Sequence, residues 1–164
     1  MLNLDHVVIP VWDAKASLAF YSETLGLPLV GAITGDGWGG MRWMMMMFGL
    51  EGGRELVLAA FEGAEPPPPD GLPRDSRHYA FSVGSEAERI AWRGKLAAAG
   101  LQFWEEDHGD QQSIYVPDPN GVILEITAPA SSAGRNADPA ALARANAWID
   151  ATAAAAPRPE TLTQ

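Results

Sequence analysis

Two stretches decide the fold: His6-Val7-Val8-Ile9-Pro10-Val11 and His78-Tyr79-Ala80-Phe81-Ser82-Val83. Both are rich in β-branched or aromatic residues, which favour strands. Each opens on a histidine, and each is followed two residues past its last valine by a helix-capping residue, Asp13 or Ser85. Laying His6 on His78 therefore also lays Val11 on Val83 and Asp13 on Ser85. Side chains alternate across a strand, so His78 shares a face with Ala80 and Ser82. Tyr79, Phe81 and Val83 take the other face, which suits packing against a helix. The small neighbours of His78 leave room for a cavity. His6 shares its face with Val8, opposed by Val7, Ile9 and Val11.

The same order of elements follows each stretch. After Asp13, the residues Ala16, Leu18, Ala19, Phe20 and Leu25 supply an apolar helical face, and Gly26 ends it. Leu29 to Ile33 reads as a second strand and Gly35-Asp36-Gly37 as a turn. Two more strands follow, Arg42 to Leu50 and Glu55 to Phe61, joined by Glu51-Gly52-Gly53. In the second half, Ser85 and Glu88 have capping-box spacing at the head of a helix that runs to Ala99 and stops at Gly100. Strands follow over Gln102–Asp107, Gln112–Val116 and Gly121–Thr127, the last two joined by a Pro117-Asp118-Pro119-Asn120-Gly121 turn. The pattern is β-α-β-β-β, twice, an internal repeat. Residues 62–76 hold four consecutive prolines and read as a linker.

The expected organisation is an α+β domain over residues 1–128, with repeat one at 1–61 and repeat two at 77–128. A C-terminal extension occupies 129–164. Within it, 129–140 reads as loop and Pro139 to Ala154 as a helix with Leu142, Ala145, Trp148 and Ile149 near one face, suited to covering an edge or a dimer surface. Residues 157–164 read as a frayed end.

Composition narrows the functional classes. The 164 residues carry 11 basic and 21 acidic groups, a net charge of −10. Such a surface repels phosphate backbones and anionic lipids, so neither nucleic acid nor membrane is an expected partner. No cysteine is present, which excludes disulfides, thiolate zinc sites and cysteine nucleophiles. Met1-Leu2-Asn3-Leu4-Asp5 lacks the basic region of a signal peptide, and no apolar run nears the roughly 20 residues of a membrane span. The expectation is a cytoplasmic protein.

The chain has three histidines, at 6, 78 and 108. Glu125 lies inside the apolar strand Val122-Ile123-Leu124-Glu125-Ile126-Thr127, where a carboxylate is costly without a partner. A metal ion with two imidazoles is such a partner. Two histidines and one carboxylate on different strands form a facial triad, which leaves coordination positions open for oxygen chemistry or Lewis-acid catalysis. Taken singly, each residue reads more readily as a satisfied core or surface group than as a ligand. Their matching places in the two repeats favour His6, His78 and Glu125 as a metal site.

These residues carry a resemblance. His6-Val7-Val8, Phe20-Tyr21 and Leu25-Gly26 resemble the opening of vicinal-oxygen-chelate proteins, the glyoxalase, bleomycin-resistance and extradiol-dioxygenase group. Asp118-Pro119-Asn120-Gly121 leading to Glu125 resembles the close of their second repeat. The resemblance covers residues 4–128. It implies eight strands wrapping a half-barrel around a divalent metal held by His6, His78 and Glu125. It also implies a homodimer acting on a small molecule.

Within the group, glyoxalase I lyases add a fourth ligand, a Glu on the last strand of repeat one. Matching Leu56-Val57-Leu58-Ala59 to Ile123-Leu124-Glu125-Ile126 puts Leu58 there, with Glu55 of opposite strand parity. The extradiol signature fits better: His108, Ile114-Tyr115, Asp118-Pro119, Gly121 and Glu125 fall at permitted spacings. By that resemblance, Tyr115 hydrogen-bonds a metal-bound substrate oxygen, and His108 bonds the substrate or bound oxygen. Fe(II) or Mn(II) is the favoured cofactor, with Zn, Ni or Co as alternatives. Two departures stand. Glu106 replaces a small or apolar residue, and the further histidine that serves extradiol enzymes as acid–base group is missing, leaving Tyr79, Asp75 or water to replace it. Tyr115 packed in the cavity wall and His108 as a solvated hairpin residue are the plainer readings.

The leading expectation is a ring-cleaving dioxygenase. A glyoxalase-type lyase or isomerase, and a drug- or metabolite-binding module, are the alternatives. Thiol transfer to fosfomycin ranks below them, because no Arg or Lys clusters near the ligand strands. Met44 to Met47 put two thioethers on each face of their strand. Trp38, Trp43 and Trp104 are either pocket lining or core, and the glycines at 35, 37, 39 and 40 read as a mobile gating loop.

Overall fold

A computed structural model describes residues 3–129 and 138–153. Eight strands form two four-stranded sheets of the same design, ordered β1-β4-β3-β2 and β5-β8-β7-β6. The first sheet holds β1 (His6–Val11), β2 (Leu29–Trp38), β3 (Met41–Gly49) and β4 (Glu55–Phe61). The second holds β5 (His78–Ser82), β6 (Trp104–Asp107), β7 (Gln112–Pro117) and β8 (Ile123–Ala128). In each, the first strand runs parallel to the last and the other pairings are antiparallel. The duplicated βαβββ order is thus the architecture.

Each helix starts where a polar side chain satisfies its free N–H groups. Asp13 accepts from Ala16 N at 2.9 Å and opens α1 (Ala14–Ala19). The coil then loosens into a π-helical turn over Phe20–Thr24 and closes at Gly26, whose φ is +74°. Ser85 accepts from Glu88 N and opens α2 (Glu86–Ala98), while the Glu88 carboxylate reaches back to Gly84 N at 2.9 Å.

Alternation decides what the helices cover. Ile9, Val11, Met46, Phe48, Leu56 and Leu58 leave the first sheet on one side; Ile114, Val116, Leu124 and Ile126 leave the second. Phe20 and Tyr21 beside α1 and Leu96 of α2 fill the same buried cluster. Burying each such side chain stabilises the fold by about 2 kcal/mol. The two sheets therefore share one core across their helix-bearing faces, and their other faces point outward.

A polar clasp joins the repeats. Asn120, in the β7–β8 turn, accepts from Trp12 N and Asp13 N at 2.7 and 3.0 Å and donates to Ser17 Oγ at 2.8 Å. Buried Asp118 accepts from Tyr21 Oη, Asn120 N and Val122 N. Burial and that carboxylate push the Tyr21 hydroxyl far above the usual tyrosine range.

The stretch read as a gating loop is instead a hairpin. β2 continues through Gly35-Asp36-Gly37 to Trp38, and the reversal falls at Gly39-Gly40. Packing explains the extension. The Trp43 ring lies over Gly35, where a Cβ would sit 2.5 Å from Cζ2, and Trp38 packs edge-on against Trp43 and Phe61.

The described residues up to 129 form one compact unit and those from 138 onward belong to a second. The second contains α3 (Ala141–Ala153), on which Leu142, Trp148 and Ile149 are exposed. Most of the expected 129–140 loop, and the whole 157–164 end, lie outside the described residues. Among the described residues, no helix is long and apolar enough to cross a membrane.

Candidate metal centre

The outward face of the second sheet gathers polar groups. The parallel register sets His78 opposite Ile123 and Ala80 opposite Glu125, so His78 and Glu125 project from the same face. His78 Nε2 lies 3.0 Å from Glu125 Oε2. The other ring nitrogen, Nδ1, is 2.7 Å from the carbonyl of Asp75, an acceptor. That contact places a proton on Nδ1 and turns Nε2 toward the carboxylate. A proton on Nε2, or a cation between the two atoms, satisfies so close an approach. Their spacing is also that of neighbouring ligands at about 2.1 Å from one metal ion, about 3.0 Å apart at a right angle. The pair fits a divalent metal, and the histidine is oriented as a ligating imidazole usually is.

The carboxylate is held from behind. Ser113, fully buried on β7, donates to Glu125 Oε1 at 2.5 Å, and its hydroxyl lies 3.1 Å from Thr127 Oγ1. Gln111 donates to that same threonine oxygen. One carboxylate oxygen is therefore anchored and the other presented toward His78. This support was not singled out in the sequence. Its signal is present there, since Ser113 precedes Tyr115 by two and so shares its face.

Tyr115 and His108 come together beside the pair. The Tyr115 hydroxyl is 3.0 Å from His108 Nε2, and its ring meets His78 edge-on at 5.6 Å. Trp104 stacks on its other side at 5.2 Å. Burial, and then the Glu125 carboxylate, push the Tyr115 hydroxyl up to about 12, so it remains a neutral donor in ordinary buffers. His108 Nε2 is also 3.9 Å from Glu106 Oε2, and Trp104 Nε1 donates to Glu106 Oε1 at 3.0 Å.

His6 is elsewhere. It projects from the outward face of the first sheet, where its Nδ1 meets Asp5 at 2.8 Å. Among the described residues, no three His, Asp or Glu side chains of one chain converge on a common point. The three tryptophans divide likewise, Trp38 and Trp43 on the first sheet and Trp104 on the second. A cavity of about 470 Å³ at the far end of the first sheet, lined by Trp12, Thr34, Arg42, Trp43 and Phe61, contains none of the candidate ligands.

The place of the fourth glyoxalase ligand needs correction. His6 pairs with Glu55 as His78 pairs with Ile123, so Val57, not Leu58, stands where Glu125 stands in the second repeat. Leu58 is in the core, and Glu55 shares the face of His6 rather than opposing it. The one-residue slip arose from aligning apolar runs without the strand register. The position still carries no carboxylate.

Tyr79 and Asp75, considered as replacements for the missing acid–base histidine, are not placed for it. Tyr79 packs against the shared core, and Asp75 turns its backbone carbonyl to His78.

The geometry is that of a duplicated βαβββ fold, and the sequence agrees: the chain belongs to the Glyoxalase/Bleomycin resistance protein/Dioxygenase superfamily, matched over residues 3–126. It is similar to the glutathione transferase FosA of Serratia marcescens, 30% identical over 125 residues that cover 76% of this chain and 79% of that protein. A lactoylglutathione lyase from Agrobacterium tumefaciens superposes with a TM-score of 0.56 at 22% identity, covering 76% of this chain and 92% of the other. A variant of the fosfomycin resistance protein FosX from Listeria monocytogenes, crystallised with Mn(II) and 1S,2S-dihydroxypropylphosphonic acid, superposes with a TM-score of 0.60 at 17% identity. That match covers 80% of this chain and 95% of the other.

Proposed function

We propose that this chain is a metal-dependent enzyme whose substrate offers two adjacent oxygens to a divalent ion held by His78, Glu125 and, from a second copy of the chain, His6. The observation that carries the reading is the His78–Glu125 pair, 3.0 Å apart, with its tautomer and anchored carboxylate. His6 shares the outward face of the first sheet, while the pair lies on the outward face of the second. A second copy that lays its first sheet over this face supplies the third ligand and closes the cup. Three protein ligands leave positions free for the substrate, and the bound ion supplies Lewis acidity and charge neutralisation. Tyr115 donates a hydrogen bond to a substrate oxygen, and His108 holds the tyrosine hydroxyl in place.

Ring cleavage with Fe(II) or Mn(II) is supported by Tyr115 and His108, two positions of the extradiol signature, lying together beside the pair. The similarity to FosA favours a second reading, oxygen-independent chemistry in which the ion acts only as Lewis acid, as in lyases and group transfer. Oxygen uptake separates them. Anaerobically prepared protein loaded with Fe(II) is expected to consume oxygen with a catechol panel; turnover of α-hydroxy thioesters or epoxides under nitrogen instead selects the second reading. Absence of any bound divalent metal at saturating Mn(II) or Fe(II) sinks both. A binding module remains the outcome if His78→Ala leaves ligand binding unchanged.

A further inference from the structure

We infer that Glu106 is the acid–base residue of this site, accepting a proton from the substrate oxygen as it binds. The inference rests on the metal-site reading above. The carboxylate stands where the extradiol signature has a small or apolar residue, and the structure places it with the polar machinery. β6 alternates, so Glu105 turns to the helix side, where Arg89 and Arg93 take it up at 2.8 and 2.7 Å. Glu106 turns to the same outward face as Trp104, Tyr115 and Glu125. Its strand partner is Ser113, whose hydroxyl is on Glu125, so one strand separates it from the carboxylate that faces His78.

The other polar and titratable groups on this face leave the role open to Glu106. His78 and Glu125 are committed to each other, and Ser113 and Thr127 to holding Glu125. Tyr115 keeps its proton. His108 spends Nε2 on the Tyr115 hydroxyl, with Glu106 at 3.9 Å. Trp104 Nε1 fixes Glu106 Oε1, Oε2 has His108 Nε2 at 3.9 Å, beyond hydrogen-bond distance, and the side chain is 40% exposed, enough to meet both a bound substrate and water. A general base must lie within reach of the proton and return it to solvent.

The step balances within the site. The O–H bond of the second substrate oxygen breaks heterolytically and its electron pair stays on that oxygen. The proton goes to Glu106 Oε2, giving a neutral carboxylic acid, which then releases it to water.

The test uses the full chain loaded with Mn(II) under nitrogen and 4-nitrocatechol as probe, because its visible absorbance reports whether the bound diol has lost protons. In stopped-flow mixing, wild type is expected to ionise the bound probe at least about tenfold faster than Glu106→Gln does, the contribution of a general base. Glu106→Asp restores part of the rate, and the Mn(II) electron paramagnetic resonance signal stays the same in all three. If Glu106→Gln ionises the probe at the wild-type rate, the assignment fails. It fails equally if Glu55→Gln slows that step and Glu106→Gln does not. If wild type takes up Mn(II) but leaves the probe's spectrum unchanged, the vicinal-oxygen reading fails and takes this assignment with it.

Discussion

At the scale of single residues, Ser113 is the most informative side chain beyond the proposed ligands. Its hydroxyl fixes one oxygen of a buried carboxylate and also meets Thr127 Oγ1. Ser113→Ala is expected to weaken Mn(II) binding by about tenfold, the usual effect of losing a group that orients a ligand, with little change in the far-ultraviolet circular dichroism. A calorimetric titration measures it. Tyr115 gives a pH expectation. Its hydroxyl titrates near 10 when unfolded and about 12 in place, so the folded state favours the protonated form. The resulting contribution to stability is complete below pH 10 and lost as pH rises toward 12. In wild type, urea midpoints should fall over that interval more steeply than in Tyr115→Phe. The strand positions and faces of His6 and His78 were legible in the sequence because parity and the repeat both constrain them. Ser113 was not, because a serine in a strand carries no signal until a neighbouring strand brings a carboxylate to it.

Among the elements, the helix–strand contact through Arg89 is the best-defined electrostatic feature. Its buried guanidinium donates twice to Glu86 and once to Glu105, tying α2 to β6. Those hydrogen bonds hold both carboxyls below the usual glutamate range. The stability they contribute is present above about pH 4.5 and is lost as pH falls through their lowered values. Arg89→Met should therefore flatten the acid limb of a pH–stability profile recorded by thermal unfolding. The Asn120 clasp matters more for stability at neutral pH. Asn120→Ala leaves Trp12 N and Asp13 N without their acceptor, and a loss of about 2 kcal/mol is expected in urea unfolding. Element order, caps and most boundaries could be read from local sequence, since they follow from alternation, capping residues and glycine. The length of the β2–β3 hairpin could not. Gly35-Asp36-Gly37 has turn chemistry, and only the Trp43 ring arriving from the next strand makes those glycines part of a ladder.

At the largest scale, the decisive arrangement is that two like sheets share a core and turn outward the faces that carry His6, His78 and Glu125. If His6 completes the site of a second copy, two disabled variants should repair one another. Mixing His6→Ala with His78→Ala and allowing exchange makes half of the dimers mixed, each with one intact site, so about a quarter of wild-type metal capacity returns. Neither variant alone recovers it, and a site closed within one chain gives no recovery on mixing. A sequence read by itself lays both histidines on one template. Whether they meet depends on the face each sheet presents, which is settled by the shared core. A site shared between two copies would also make metal loading second order in protein. On this reading a dilute sample loses its ion and its partner through the same equilibrium, so a chelator should dissociate dimers and dilution should mimic the chelator.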